Sequence, residues 1–426
     1  MSDWLIVLLF LGEVAALARL DRMVFGTWYT PFTLLAVPYA FVMLGAFLFA
    51  PALGFIPLYT DSVLVWAVGV ALVWLGGLIV GMSLGKPIRA RTAAHRPFLY
   101  EGESERLAIL LAWLFIPIIV QHFFSSLRSV GGLTGLGTEN FEYAYGGGLG
   151  AHLLVYSSLI FILLLGTVRR GSRIAVVTLV ALAVVILARQ VKYSLILPLA
   201  AGVLYRVVTG RTKLSVGRIA ALAVTVYVVF NLAYLIGFWS VDKGIFFRPD
   251  AYGWLLHHFV AYIMGGVLVL GQYVHDGIGT VPGDPAVTFA PFVNLFRFLT
   301  AGPLVPLGNE YAAPLAANGL EPANVTTLFG PLLIGLGVWG AAVYALGVGL
   351  FSYCTFALAM LTRNCWAAVL WFFVASMLAF SFYVSYFGLW VSVEAPLWCL
   401  LVACVLWLAR RSVGTAGPAP AAVGAP

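Results

Sequence analysis

Charged side chains are scarce: Asp, Glu, Lys and Arg make up 9% of the 426 residues, against 62% hydrophobic residues, where an ordinary soluble domain carries roughly 25% charged residues. A chain so poor in charge cannot cover a water-facing surface, which excludes a water-soluble fold. Cysteine is also rare. The four, Cys354, Cys365, Cys399 and Cys404, fall in or beside apolar runs without metal-ligand spacing, so neither a disulfide frame nor a zinc site is indicated. No glycine-rich phosphate loop after a strand, zinc signature or nucleophile elbow occurs, and this argues against ATP-driven transport and hydrolysis of the soluble type. No cofactor or metal is called for. The first residues lack a basic n-region and a small-residue cleavage site, so the first apolar stretch is expected to stay as a helix.

What the chain does have is length of apolar sequence. Mean hydropathy is +1.03, and runs of about 17 to 25 apolar residues recur, the length that crosses roughly 30 Å of hydrocarbon at 1.5 Å per residue. Barrel strands would instead be about ten residues of alternating polarity. Spans are expected near 4–18, 31–50, 62–83, 107–124, 151–168, 174–190, 192–208, 219–240, 333–361, 365–384 and 395–409. The 21 Pro and 45 Gly are compatible with membrane helices, whose kinks are satisfied by neighbouring groups.

Net charge is +7, but its distribution matters more than its sum, because short Lys/Arg-rich loops stay cytoplasmic; nucleic-acid binding is not read from it. Arg19 and Arg22, then Lys86, Arg89, Arg91 and Arg96, then Arg169, Arg170 and Arg173, then Arg211, Lys213 and Arg218, and finally Arg363 and Arg410 with Arg411 all fit one N-out, C-in topology. The expected fold is an all-α polytopic membrane protein with about eleven transmembrane helices, its single transmembrane domain being residues 1–412. The Pro/Gly/Ala-rich stretch 413–426 reads as a disordered cytoplasmic tail.

That topology leaves 125–150, the Arg189/Lys192 junction and the long stretch 241–330 on the outward face. The apolar segment 254–274 has the length of a twelfth crossing, but the loop 275–285 carries two Asp and no Lys or Arg. A second run, 289–307, is broken by Pro291, Pro303 and Pro306. Both read as re-entrant or interfacial helices, since irregular backbone at membrane depth must be buried in protein or line a cavity.

Several cations break the positive-inside pattern. Arg189 and Lys192, three apart, would share one helix face and could address one anion, or serve as snorkelling anchors. Arg297 lies within the proline-broken run, where a lone cation needs a partner; Glu310 is one choice and a ligand the other. Arg248 can pair with Asp250 or face a ligand. Arg128 opens LRSVGGLTGLGTENFEYAYGGGLG, whose glycines allow close backbone approach and whose Tyr143 and Tyr145 could stack on sugar faces. Outward cations beneath a membrane groove are what a lipid diphosphate needs, because the arginine fork donates two parallel bonds to phosphate oxygens. Outward candidates for a base are Glu139, Glu142, His257, His258, His275, Asp276, Asp284 and Glu310; His257 and His258, being consecutive, face different ways.

The junction ARQVKYSLILPLAAGVLYR and the segment NVTTLFGPLLIGLGVWGAAVYALGVGL together resemble the Wzy-type O-antigen polymerases. Asn324, Thr327, Phe329, Gly330, Gly335, Gly337 and Gly340 are similar to that family's Asn-x-x-Thr, Phe-Gly and glycine-rich helix. Arg297, ten residues and Gly308 match its arginine-and-glycine loop pattern, whereas Glu139 stands where the same pattern from Arg128 would have glycine. The resemblance implies a GT-C-like glycosyltransferase of the bacterial inner membrane, active at the periplasmic face. It would join oligosaccharide repeats carried on undecaprenyl diphosphate as donor and acceptor, with a Wzz-like chain-length protein as a partner. Arg189, Lys192 and Arg297 would act on the diphosphate. Arg128, Arg248, Tyr143, Tyr145, His257, His258 and Asn324 would bind substrate. An O-antigen ligase, and a flippase of lipid-linked oligosaccharides, stay open as alternatives.

Overall fold

The computed structural model describes residues 3–92, 98–99, 101–136, 138–168, 172–189, 193–241, 244, 248–277, 283–305, 313–314, 322–323 and 325–414. The helices are, in chain order, α1 (Asp3–Phe25), α2 (Pro31–Phe49), α3 (Asp61–Thr92), α4 (Glu101–Ser129), α5 (Glu139–Tyr145), α6 (Gly148–Thr167), α7 (Arg173–Leu187) and α8 (Tyr193–Val208). They continue with α9 (Val216–Val241), α10 (Pro249–His275), α11 (Pro285–Thr288), α12 (Ala290–Leu299), α13 (Phe329–Thr362), α14 (Cys365–Ala379) and α15 (Val391–Gly414). Two two-residue strands, β1 (Ala313–Pro314) and β2 (Pro322–Ala323), pair antiparallel.

Eight of these helices are long and apolar enough to cross a membrane: α2, α3, α4, α6, α9, α10, α13 and α15. The architecture fits a polytopic membrane protein. Its periphery is apolar, with Phe41 73%, Met82 75% and Trp339 86% exposed, as suits helices that face lipid and close their own backbone hydrogen bonds along their length.

Lipid is as apolar as leucine, so helices associate through close packing and polar contacts instead of hydrophobic exclusion. The α3–α13 seam is built that way. Gly76 and Gly349 meet backbone to backbone, a β-carbon at Gly76 falling 2.6 Å from Leu350 N; Gly69 and Gly77 receive the rings of Phe329 and Tyr353. At the centre lies α14, begun by Asn364, whose side chain accepts from Trp366 N at 2.8 Å. With no charge in its sequence, it is buried at every position from Cys365 to Leu378.

Connections sort to two ends. At the basic end Leu99 N donates to Arg363 O at 2.6 Å, Thr92 Oγ1 to Phe25 O at 2.9 Å, and Arg211 binds Glu101. At the opposite end Leu328 N donates to Ser381 O at 2.8 Å and Tyr145 OH to Val185 O at 3.3 Å. α10 runs across that second end. His257 stacks on Phe55, a β-carbon at Gly266 would touch the carbonyls of Phe382 and Tyr383, and His275 stacks on Tyr59 with its Nδ1 3.5 Å from the Asp61 carboxylate. All these partners lie in the connections after α2 and α14 or at the start of α3.

The glycine-rich segment after residue 324 proves to be a packing device. Thr327 holds a left-handed φ of 64° and its N–H bonds Tyr383 O at 3.2 Å. Gly330 sits against Thr326, and Gly335 against the Thr288 hydroxyl. Gly337, at φ 64° and ψ −177°, breaks α13. Asn324 lies outside the described residues.

Candidate functional site

A cavity of about 570 Å³ opens at the end opposite the basic connections, within the roughly 300–1,000 Å³ of ligand pockets. Its walls come from separate parts of the chain: the start of α6, the end of α7, the starts of α8 and α15, and α12.

Gly146 caps α5 and Gly148 takes φ 67°, so the chain turns tightly into α6 and brings His152, one turn in, to the cavity. Beneath the turn, Tyr145 is fully buried against Phe141, Phe123 and His122, and His122 Nε2 binds Tyr145 O at 3.1 Å. Burial pushes the Tyr145 phenol well above the ordinary tyrosine range, with the nearby Arg189 charge pulling it the other way.

Arg189 follows directly on α7. The helix ends at Leu187, and the guanidinium reaches Gly146. Its Nε is buried without a hydrogen-bond partner among the described residues. Across the same cavity, Glu394 in the first turn of α15 is buried. Its Oε1 pairs with His152 Nδ1 at 2.9 Å and accepts from Trp398 Nε1 at 3.3 Å, while Oε2 has no partner among the described residues. Ser194 Oγ and Trp390 Nε1, also in the lining, are likewise buried and without a partner among the described residues.

Each buried polar group without a partner costs about 1–3 kcal/mol. Four in one cavity make it the candidate site for a polar ligand. Three of them are donors, the N–H of Arg189, the N–H of Trp390 and the hydroxyl of Ser194. The N-termini of α6, α8 and α15 converge with them, each carrying roughly half a positive charge. Such a donor set suits an anion with several oxygens, phosphate above all. The Glu394 carboxylate adds a proton acceptor.

Over residues 54–413 the sequence matches a family described as a family of unknown function (DUF6337). The chain belongs to that family. The matched stretch contains every element that walls the cavity. No curated protein and no solved structure matches the chain.

Of the cations expected to act on an anion, Arg189 lines this cavity. It sits in a turn, so the shared helical face expected for Arg189 and Lys192 does not exist at Arg189; Lys192 itself lies outside the described residues. Arg297 ends α12, the helix that contributes Asn294 and Phe298 to the lining, but its Nη1 donates to Pro303 O at 2.8 Å. A backbone carbonyl thus supplies a partner that the sequence left open, and Glu310 is outside the described residues. Arg128 is exposed at the end of α4 and Arg248 is exposed at the N-cap of α10. Neither lines the cavity.

Tyr143 is exposed, whereas both faces of Tyr145 are taken up by packing, which leaves no ring surface for a sugar. His257 and His258 point apart, as consecutive helical residues must. His257 stacks on Phe55, and His258 Nε2 lies 2.7 Å from Tyr234 OH. Sequence reasoning missed His152, Ser194, Trp390 and Glu394. A signal existed for Glu394: it is a lone carboxylate at the edge of the span 395–409, and ionisable residues at such positions are functional candidates by default.

Proposed function

We propose that this chain is a membrane glycosyltransferase that polymerises oligosaccharide repeats carried on undecaprenyl diphosphate, at the outer face of the bacterial inner membrane. In this reading α1–α4, α6–α9 and α13–α15 make eleven crossings in a GT-C-like arrangement. The basic end faces the cytoplasm by the positive-inside rule, and α10–α12 lie at the outer interface. The observation that carries the reading is the meeting, in one cavity, of the unsatisfied Arg189 Nε with the Glu394 carboxylate backed by His152.

Glycosyl transfer from a lipid diphosphate needs a proton acceptor and stabilisation of the leaving group. The acceptor hydroxyl gives its proton to Glu394 Oε2 while its oxygen bonds to the anomeric carbon of the donor. The anomeric C–O bond breaks, and its electron pair leaves with the diphosphate. Arg189 and the converging helix N-termini meet that growing charge. The proton left on Glu394 reaches water through His152, whose side chain is 47% exposed.

The lipid has a way in. Along α12, Phe292, Phe296, Phe298 and Leu299 are exposed, and Phe298 also lines the cavity; this supports entry of polyprenyl chains sideways from the bilayer. The test is reconstitution of the purified protein with a lipid-linked repeat in vesicles. A ladder of products is the expected outcome. Unchanged substrate that the same protein moves between leaflets would replace the polymerase with a flippase.

A further inference from the structure

The basic end holds a second cavity, of about 450 Å³. Its lining is of two kinds. Phe98, Phe356 and Met360 supply apolar surface, and Arg91, Lys213 and Arg363 supply positive charge, with no carboxylate among its described lining residues.

Most neighbouring cations are already engaged. Arg22 stacks on Trp28 at 4.6 Å, Arg89 Nη1 donates to Met23 O at 3.0 Å, Arg206 Nη1 to Val168 O at 3.0 Å, and Arg211 binds Glu101. The side chains of Arg91 and Lys213 are exposed and enter no hydrogen bond or ion pair among the described residues. Arg363 occupies the C-cap of α13 at φ 55°, a left-handed position that glycine or asparagine fills at lower cost. An arginine stands there, beside the cavity.

We infer that this cavity seats the phosphate-bearing head group of an anionic lipid. Arg91 and Lys213 bring two positive charges to the cavity with no counter-charge among the described residues, and such a pair calls for an anion. The apolar part of the lining, at the level where the long apolar helices end, fits the glycerol and upper acyl region of a lipid and gives a free inorganic anion nothing to pack against. The site is separate from the proposed catalytic cavity and does not depend on its chemistry.

The full-length protein in detergent is titrated with phosphatidylglycerol or phosphatidylcholine and the adducts counted by native mass spectrometry. One phosphatidylglycerol is expected to bind in preference to phosphatidylcholine. In Arg91→Gln with Lys213→Gln its affinity falls roughly 25-fold, two cations at about fivefold each. Arg19→Gln, an exposed basic residue outside the cavity, leaves it unchanged. The charge-retaining pair Arg91→Lys with Lys213→Arg restores binding, which separates loss of charge from loss of fold. Equal binding of the two lipids, or wild-type binding in the double glutamine variant, overturns the inference. Displacement of the lipid by inorganic phosphate at comparable concentration overturns the lipid as the source of the anion.

Discussion

Replacing Gly349 with alanine loads the closest contact between two helices. A β-carbon there would stand 2.4 Å from Val73 O and 2.8 Å from Val73 Cα, about 1 Å short of the 3.4 Å at which ordinary contact begins. Both obstacles are backbone, so no rotamer change relieves them and α3 must move away from α13. Overpacking of this kind costs about 1–3 kcal/mol, and the upper end applies because separation also lifts Phe329 and Tyr353 from their glycine seats. Alanine recovers about 0.5–1 kcal/mol through its better helix propensity. The net is about 2 kcal/mol of destabilisation, or roughly 30-fold in the folding equilibrium.

Gly347, two residues earlier on the same helix, is the control. Nothing lies within 4 Å of its β-carbon position, so Gly347→Ala should stabilise by about 0.5–1 kcal/mol. Unfolding by sodium dodecyl sulfate in mixed micelles, followed by circular dichroism, reads both. If Gly349→Ala proves as stable as Gly347→Ala, α3 and α13 do not meet backbone to backbone and the seam is wrong.

Arg297→Ala should reduce product formation by less than about tenfold, the scale of one hydrogen bond to a loop carbonyl, because its guanidinium serves Pro303; a loss matching that of Arg189→Ala would return it to the site. Tyr145→Phe should keep activity and lower stability by about 0.5–1.5 kcal/mol, while Tyr145→Ala should cost about 3–5 kcal/mol, both read by thermal unfolding in detergent. Burial holds the Tyr145 proton in the folded state, so its contribution is complete below the unfolded pKa of about 10 and is lost as pH rises through the higher folded value. Tyr145→Phe should accordingly flatten the alkaline limb of the stability profile; an unchanged limb would contradict the burial.

The long apolar helices α2, α3, α4, α6, α9, α13 and α15 were legible because each is a continuous apolar run and lipid leaves the backbone no alternative to helix. α10 is the eighth helix long and apolar enough to span, where the acidic loop that follows it had pointed to a re-entrant or interfacial segment. The cavity was not legible. His152, Arg189 with Ser194, and Trp390 with Glu394 come from three stretches of chain, and no periodicity within one stretch reports on another. Arg189 was found because a lone cation between apolar spans is costly; Glu394 sits at the very start of its helix, where a carboxylate also passes for an ordinary N-terminal charge. For Arg297, the sequence cannot show that the chain turns after α12 and hands its guanidinium the Pro303 carbonyl. The glycines from Gly330 to Gly340 are visible as a pattern, but only the structure shows that Gly335 seats the Thr288 hydroxyl of α11, that Gly337 breaks α13, and that none of these glycines lines the cavity.

If Arg189 and Glu394 act on one lipid-diphosphate substrate, as proposed, loss of either side chain slows glycan extension in a folded protein. Purified wild type, Arg189→Ala and Glu394→Gln are reconstituted with a lipid-linked oligosaccharide repeat, checked for equal thermal unfolding, and followed by the rate at which the first dimeric product forms. The expected drop is about 10²–10³ for Arg189→Ala, as for loss of one donor to a developing negative charge, and about 10²–10⁴ for Glu394→Gln, as for loss of a general base. Two folded variants that extend the glycan at the wild-type rate would contradict it.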